Sequence, residues 1–378
     1  MISKAYFILG KHPSERSGGD VTLTKLVMNI ASEAYSVSAV AFVESDEYLG
    51  RRGQIYGIKK PPKNVLHILC DSIRSGRSTI HARFDSSALR NHLSSIDAGK
   101  FVAEHSYMAE AAISSENCAN SLWINTHVSE ADVLRSTQTV RSLEYRAVLR
   151  DEIRTAKAAQ AVGCFDRNEL ERYRTRGVSW VRPLDITFPP ADQVDIGQTP
   201  QHLLFIGDQT WRPNFVAAQN LLRLWPAIKQ RVPGARLSIA GKQSQQGLGP
   251  TPDGVDVLGF VDSLEPLLLS SRALVAPVDT GGGVRVKILE TSARGIPLVG
   301  TSAAIGSLDE ALDLRAFDEP TDFVERCVQL LQDPREASHE GDALYSRNLE
   351  RWKNRVPHTS VANWLQSSGP TPQFDRKA

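Results

Sequence analysis

Between Thr280 and Gly295 the sequence reads TGGGVRVKILETSARG. Three glycines precede Arg285 and Lys287, and Glu290 follows three residues after the lysine. Glycines let a backbone approach a ligand closely with its N–H groups exposed, and a helix start adds partial positive charge. Two cations at such a start run against the helix dipole, which favours acids there. The placement therefore suits an anion, and a phosphate or diphosphate is the natural one. Glu290 falls on the same helical face as Lys287 and can accept hydrogen bonds from a ribose diol. A plainer alternative stands beside this one. Glu290 and Arg294, at i and i+4, would form an ordinary helix pair, and the glycines would make only a loop. The run is not a P-loop, since no G-K-[ST] follows, and it is not G-x-G-x-x-G.

Elements that would hold this loop in place surround it. ALVAPV (273–278) reads as the preceding strand, and Gly295 with Pro297 ends the helix before the strand IPLVGT. HLLFIG, RLSIAG and GVDVLGFV are further short Val/Ile/Leu-rich runs of the kind buried on both faces of a parallel sheet. NFVAAQNLLRLWPAIKQR and SLEPLLLSSR are helical, two more helical segments follow residue 320, and a last one near 358–367 carries Trp364. The N-terminal half opens as strand AYFILG, a polar loop with Gly18 and Gly19, helix VTLTKLVMNIASEA and strand VSAVAFV. That is a βαβ unit. KFVAEHS, SLWINTH, AVGCF and SWVRP read as later strands, and residues 129 to 160 as one long helical stretch. In that stretch Arg135, Arg141, Arg146, Arg150 and Arg154 interleave with Glu144, Asp151 and Glu152, which predicts ion pairs within the helix rather than a nucleic-acid patch. PLDITFPPADQVDIGQTP, with four prolines and no periodicity, reads as an interdomain linker. The expected fold class is α/β, with two doubly wound Rossmann-like domains.

Composition narrows the function classes. A chain of 378 residues is long for one core and suits two domains. With 44 Lys and Arg against 43 Asp and Glu the net charge is +1, so no global field draws the protein to nucleic acid. Cys70, Cys118, Cys164 and Cys327 are widely spaced, and no C-x-x-C or zinc-like spacing occurs. They read as reduced, mostly buried thiols. MISKAYFILG reads as a first strand rather than a signal peptide, and no apolar run reaches the length of a membrane span. The default expectation is a cytoplasmic protein.

Residues 202 to 306 resemble the retaining family-4 glycosyltransferases (glycosyl transferases group 1) of the GT-B fold. The matching pieces, in the family's order, are LLFIGDQTWRPNFVAAQNLL, ARLSIAGK, VDVLGFVDSLEPLLLSSRALVAPV and GGGVRVKILETSARGIPLVGTSAAIGS. ILG…SGGDVTLTKLVMNIA and INTHVSEAD followed by QAVGCFDRNEL resemble, more loosely, the family's N-terminal half. The resemblance implies an acceptor domain over residues 1–185, a linker over 186–200 and a donor domain over 201–350, the two domains facing across a cleft. A helix and tail at 351–378 would pack back toward the first domain.

It also implies a hexosyltransferase-type enzyme that moves a sugar from a UDP- or GDP-sugar, with retention, to a glycan, lipid-linked or small-molecule acceptor. By position, Arg285 and Lys287 would hold the diphosphate, Glu290 the ribose, and the backbone at Phe260 and Val261 the base. Gly18 and Gly19 would face the diphosphate. Gly207, Arg212, Gly282, Gly283 and Val284 complete the implied donor contacts, and His127 resembles a position near the reacting sugar, where a structural role is the alternative. Glu104 and His105 are weaker candidates that read as well as core-edge polar residues. The first of the family's two glutamates would fall at Gly282 and is absent. With no D-x-D pair, no metal or other cofactor is implied. The basic clusters Lys59, Lys60, Lys63 and Arg74, Arg77, Arg83 would form a solvated loop or meet a lipid phosphate at the inner membrane face. An epimerase on the same fold and a non-catalytic nucleotide-sugar-binding protein are the alternatives. The sugar, base, acceptor and oligomeric state are not written in these motifs.

Overall fold

The computed structural model describes residues 3–15, 18–136, 142–242 and 247–369. It forms two compact units: one runs to Ile186 and takes back the chain from Pro357, the other spans Thr187–Val356.

The first unit is built on β1 (Lys4–Leu9), β2 (Ser36–Val43), β3 (Gly50–Arg52), β4 (Ile55–Lys59), β5 (Lys100–Glu104), β6 (Leu122–Asn125), β7 (Ala161–Cys164) and β8 (Val181–Pro183). Their order in the sheet is β3-β4-β2-β1-β5-β6-β7-β8. Every neighbouring pair is parallel except β3 with β4. Ala5 to Leu9 are all buried, which is why β1 reads as an unbroken apolar run rather than an alternating one. Chain order reverses at β1, whose Ile8 lies opposite Val40 on one side and Ala103 on the other. Such a switch point is where doubly wound sheets bind ligands, beyond the carboxyl ends of the strands.

The second unit repeats the plan with β9 (His202–Ile206), β10 (Arg236–Ala240), β11 (Val255–Gly259), β12 (Ala273–Ala276) and β13 (Leu298–Gly300), in the order β11-β10-β9-β12-β13. All its pairs are parallel, and its switch point lies between β9 and β12.

Three segments differ from expectation for identifiable reasons. The proline-rich run packs against the second unit from Thr187 onward: Ala191 and Val194 donate their N–H groups to the carbonyls of Ala293 and Arg294, both at 2.9 Å, and Ile196 is buried. Proline removed the periodicity but not the remaining donors, which pair at the end of a helix. The stretch 129–160 forms two helices, Glu130–Ser136 and Ser142–Ala158, while 137–141, with Arg141, lie outside the described residues. Several of its charges also reach beyond their own helix, correcting the expectation that they pair within it. Asp151 accepts the Ser78 N–H at 2.6 Å, Glu144 accepts the Thr79 hydroxyl at 2.7 Å, and Arg154 pairs with buried Glu110. Most of the basic clusters at 59–83 are tied down. Lys59 pairs with Asp46, Lys60 with Glu44 and Arg77 with Asp85, and Arg83 donates to the Pro61 carbonyl.

The helix Val356–Gln366 belongs to the first unit, where Trp364 is fully buried and Trp123 Nε1 donates to the Ser367 carbonyl at 3.2 Å. Of the four thiols, Cys118, Cys164 and Cys327 are buried and Cys70 is exposed.

Candidate functional site

Beside the switch point of the second unit, just beyond their carboxyl ends, the chains leaving β9 and β10 close on each other. A Cβ on Gly241 would lie 1.8 Å from the Gly207 carbonyl oxygen, so no side chain fits there. Gly207 in turn leaves room for Asn214, whose Cγ would be 2.7 Å from a Cβ at that position. Asn214 stands in the first turn of the helix Arg212–Arg231, is nearly fully buried, and donates Nδ2 to the Asp208 carbonyl at 3.1 Å. Its Oδ1 accepts from Lys287 Nζ at 3.1 Å, and that ammonium also lies 5.0 Å from the centre of the Phe205 ring. Burial, with Arg285 close by, lowers the Lys287 pKa from its ordinary 10.5 to about 8. The lysine is thus fixed by a neutral partner, and among the described residues no carboxylate pairs with it.

Arg285 occupies the cap position of the helix Val286–Ser292, which has no side-chain cap and no acid in its first turn. Its Nη1 donates to the Gly283 carbonyl at 2.9 Å. A Cβ at Gly306 would lie 2.7 Å from Nη2, and one at Gly281 would lie 3.8 Å from Cζ. Gly283 and Gly306 both have left-handed φ, +70° and +55°. The glycines therefore house the guanidinium as well as opening the loop, a role that spacing alone did not reveal. Arg285, Lys287, Gly207 and Gly283 are brought together at one strand edge, with Gly282 and Val284 in the same loop.

Glu290 points into the ion pair that the plainer reading anticipated. Its Oε1 lies 3.4 Å from Arg294, which also pairs with Glu265 at 2.8 Å. Burial raises its pKa, with Arg294 opposing. With a side chain 29% exposed, it keeps one face toward solvent. Phe260 follows β11 at the same edge of the sheet and is 57% exposed, with Lys242 Nζ 5.8 Å from its ring centre. Val261 is half-buried beside it, and Arg212 is exposed at the start of its helix.

The first unit's switch point is chemically different. Gly18, with φ +142°, caps the helix beginning at Gly19 and accepts the Thr22 N–H at 3.0 Å. Asp20 pairs with Lys11 at 2.5 Å. Burial alone would raise the Asp20 pKa, but Lys11 outweighs it and holds the carboxyl below its ordinary value. Beside them β5 and β6 are followed by two histidines with left-handed backbones, His105 at φ +76° and His127 at φ +52°. Such non-glycine conformations are strained and persist only where surrounding contacts impose them. The rings stack with centroids 4.5 Å apart.

His127 Nε2 meets the buried carboxylate of Glu104, which also accepts from Thr24 at 3.1 Å and Asn125 at 3.0 Å. Burial lowers the His127 pKa despite the attraction of Glu104, so the ring is neutral near pH 7. A carboxylate only accepts, so the ring proton sits on Nε2, leaving Nδ1 as a hydrogen-bond acceptor. That atom and Glu104 Oε1 are buried and have no partner among the described residues. A small cavity opens here between Lys11, Asp20, Glu104, His105 and Tyr107. The loop after His127 is held from below, where Glu152 accepts the N–H groups of Glu130 and Ala131 and the Ser129 hydroxyl.

Asn214, Gly306 and the Lys11–Asp20 pair also stand at these two strand edges, where no motif pointed to them, and Glu104 lies in the core rather than at its margin. Only the Pro-Asn at a helix start carried a local signal for Asn214. Among the described residues no group of three or more His, Cys, Asp and Glu side chains is placed to hold a metal ion. No described helix is long and apolar enough to cross a membrane.

Residues 200–333 match the family model Glycosyl transferases group 1. No curated protein matches the sequence. Among solved structures, sucrose-phosphate synthase from Thermosynechococcus elongatus superposes with a TM-score of 0.71 at 13% identity, covering 95% of this chain and 98% of that one. WaaG, a glycosyltransferase involved in lipopolysaccharide biosynthesis, gives 0.65 at 13% identity over 96% and 100%. HepE of Anabaena, solved with UDP and glucose, gives 0.63 at 13% identity over 96% and 99%. The chain therefore has the GT-B fold of two Rossmann-like domains, and its match to the group 1 glycosyltransferases lies in the second of them.

Proposed function

We propose that the protein is a retaining glycosyltransferase that takes a hexosyl group from a nucleoside-diphosphate sugar and passes it to a glycan, lipid-linked or small-molecule acceptor. The observation that carries this is the pair Arg285 and Lys287, two cations at the second domain's switch point, where Arg285 donates to the Gly283 carbonyl and Asn214 holds Lys287. Two cations beside a glycine loop and a helix start at such an edge suit a diphosphate. WaaG is by name a glycosyltransferase, and HepE was solved with UDP and glucose, which makes a UDP-sugar the first donor to test.

In the proposed reaction the bond from the anomeric carbon to the diphosphate oxygen breaks and the acceptor oxygen bonds to the same face. The acceptor's proton passes to the departing diphosphate. Arg285 and Lys287 stabilise the charge that develops there, the exposed carboxylate face of Glu290 accepts from the ribose, and the backbone at Phe260 and Val261 meets the base. Arg212 adds a phosphate contact. In the first domain Gly18 and Gly19 leave room for the diphosphate, and Nδ1 of neutral His127 accepts from a hydroxyl of the reacting sugar. No group other than the donor itself is needed as cofactor. A lipid-linked acceptor would bring the protein to the cytoplasmic face of a membrane.

Arg285→Ala and Lys287→Ala should each lower kcat/KM for transfer by about 10²–10³-fold, the scale of removing one preorganised oxyanion contact. Circular dichroism and Tm should stay near wild type. Near-normal turnover in both variants would remove the diphosphate assignment. Nucleotide-sugar binding with no transfer to any acceptor would instead favour a binding protein, for which the missing acid at Gly282 is the motive.

A further inference from the structure

The helix Val65–Ser75, VLHILCDSIRS, faces the wrong way for a core element. It contains no buried residue, yet Val65 is 67% exposed, Leu66 76%, Leu69 44% and Ile73 81%. At about 100° per residue these four and Cys70 form one continuous stripe, while the less exposed Ile68, Asp71 and Ser72 lie on the opposite side. The apolar face therefore points to solvent and the more polar side points to the protein. Both ends are well made: Asn64 caps the start by accepting the His67 N–H at 3.3 Å, and Gly76 ends it with φ +65°. A properly capped helix with its apolar stripe outward is an unfinished contact.

Charge identifies the occupant. Lys63 precedes the helix, and His67 and Arg74 edge the stripe on one side, while Lys59, Lys60 and Arg77, which flank the element, pair with Asp46, Glu44 and Asp85, so Lys63 and Arg74 are the cations that face a partner. From 59 to 77 the chain has five Lys and Arg and one acid, Asp71, which pairs with His67 at 3.0 Å. A three-turn helix cannot supply the roughly 800 Å² per partner of a stable protein interface by itself. Apolar side chains inserted among headgroups, with cations at their rim, are how a helix lies in the plane of an anionic bilayer.

We propose that Val65–Ser75 is an in-plane anchor that docks the first domain on an anionic lipid surface. This deepens the membrane-facing part of the function proposed above and rests on it only for purpose. Its test measures no sugar transfer, so either can fail alone.

The experiment is sedimentation of the full chain with vesicles of phosphatidylcholine, or of phosphatidylcholine with phosphatidylglycerol, alongside size-exclusion chromatography with light scattering. The wild type should bind the anionic vesicles, more weakly as salt rises. Leu66→Asp with Ile73→Asp should reduce partitioning at least about tenfold, since both apolar contacts are lost, with unchanged Tm because both positions are exposed. Lys63→Glu with Arg74→Glu should reduce binding to the anionic vesicles alone. Vesicle binding unchanged in the first double variant would overturn the proposal, as would a wild type that ignores both kinds of vesicle. A wild-type dimer that the Leu66/Ile73 variant converts to monomer, with no vesicle binding, would show that a second copy covers the stripe and would equally overturn it.

Discussion

The two domains share a sheet plan and place their chemistry at the same point of it, but they build that chemistry from opposite materials. The second domain uses glycines and cations. Gly207 admits Asn214, Asn214 fixes Lys287, and Gly283 and Gly306 wrap Arg285. The first uses strained histidines and buried carboxylates, with His105 and His127 stacked and Glu104 fixing the proton of His127. One edge carries two cations and suits an anion; the other carries an ion pair, a buried carboxylate and a neutral histidine, and suits hydroxyls.

The contrast is tested most sharply at Glu104. Glu104→Ala removes the acceptor that selects the Nε2–H tautomer of His127, and the Nδ1 acceptor should be lost for part of the population. Transfer should fall by about 10²-fold, within the usual range for a misplaced proton-bearing group. Glu104→Gln can still accept from Nε2 and should retain much more activity. Nitrogen NMR of His127 should show the tautomer mixture in the alanine variant alone. An unchanged tautomer there would leave Glu104 with a purely structural role.

Smaller effects are expected from the second domain's supports. Gly306→Ala places a methyl against the Arg285 guanidinium on a left-handed backbone. It should raise the donor Kd about tenfold, on the scale of one displaced charge-assisted hydrogen bond. Asn214→Ala frees Lys287 without removing its charge and should weaken donor binding by less, about 3–5-fold, since only the fixing of the ammonium is lost. Donor affinity should also fall as pH rises through about 8, where Lys287 loses its proton. Calorimetric titration from pH 7 to 9 reads this directly, and a flat profile would detach Lys287 from the anion.

Legibility in the sequence followed the same division. The second site lies largely on one continuous stretch, so TGGGVRVKILE announced its glycines, cations and carboxylate together. What stayed hidden was the support arriving from elsewhere, Asn214 from 73 residues away and Gly306 across the next strand. The first site converges from several segments: Asp20 and Thr24 from a helix, Glu104 from β5, His127 after β6 and Glu152 from a later helix. No local spacing records such a meeting, and a glutamate ending an apolar strand reads as its solvent edge until burial is known. The outward helix at 65–75 was obscured for another reason. A 3.6-residue stripe gives the same pattern whether it faces a core or a membrane.

The smallest expected effect lies beneath the histidine loop and concerns stability. Glu152 and Glu169 both have their pKa raised to about 8, first by burial and then by a neighbouring carboxylate, Glu130 for the one and Glu152 for the other. Folding therefore retains protons that the unfolded chain releases near its ordinary glutamate pKa of 4.5. Between that value and about 8 the native state binds more protons, so this contribution to stability is full at the acid end and is lost as pH rises. Tm should thus decline from pH 6 to pH 8 in the wild type. Glu169→Gln keeps the shape, removes one titration and relieves its repulsion of Glu152, so the decline should flatten by a few degrees, about what 1 kcal/mol moves Tm in a domain of this size. The cations of the second domain predict the opposite slope at higher pH. Lys287, depressed to about 8, is protonated in the unfolded chain up to 10.5, so its contribution rises with pH across that interval. A Glu169→Gln protein whose Tm still falls as steeply as wild type between pH 6 and 8 would place the buried proton elsewhere.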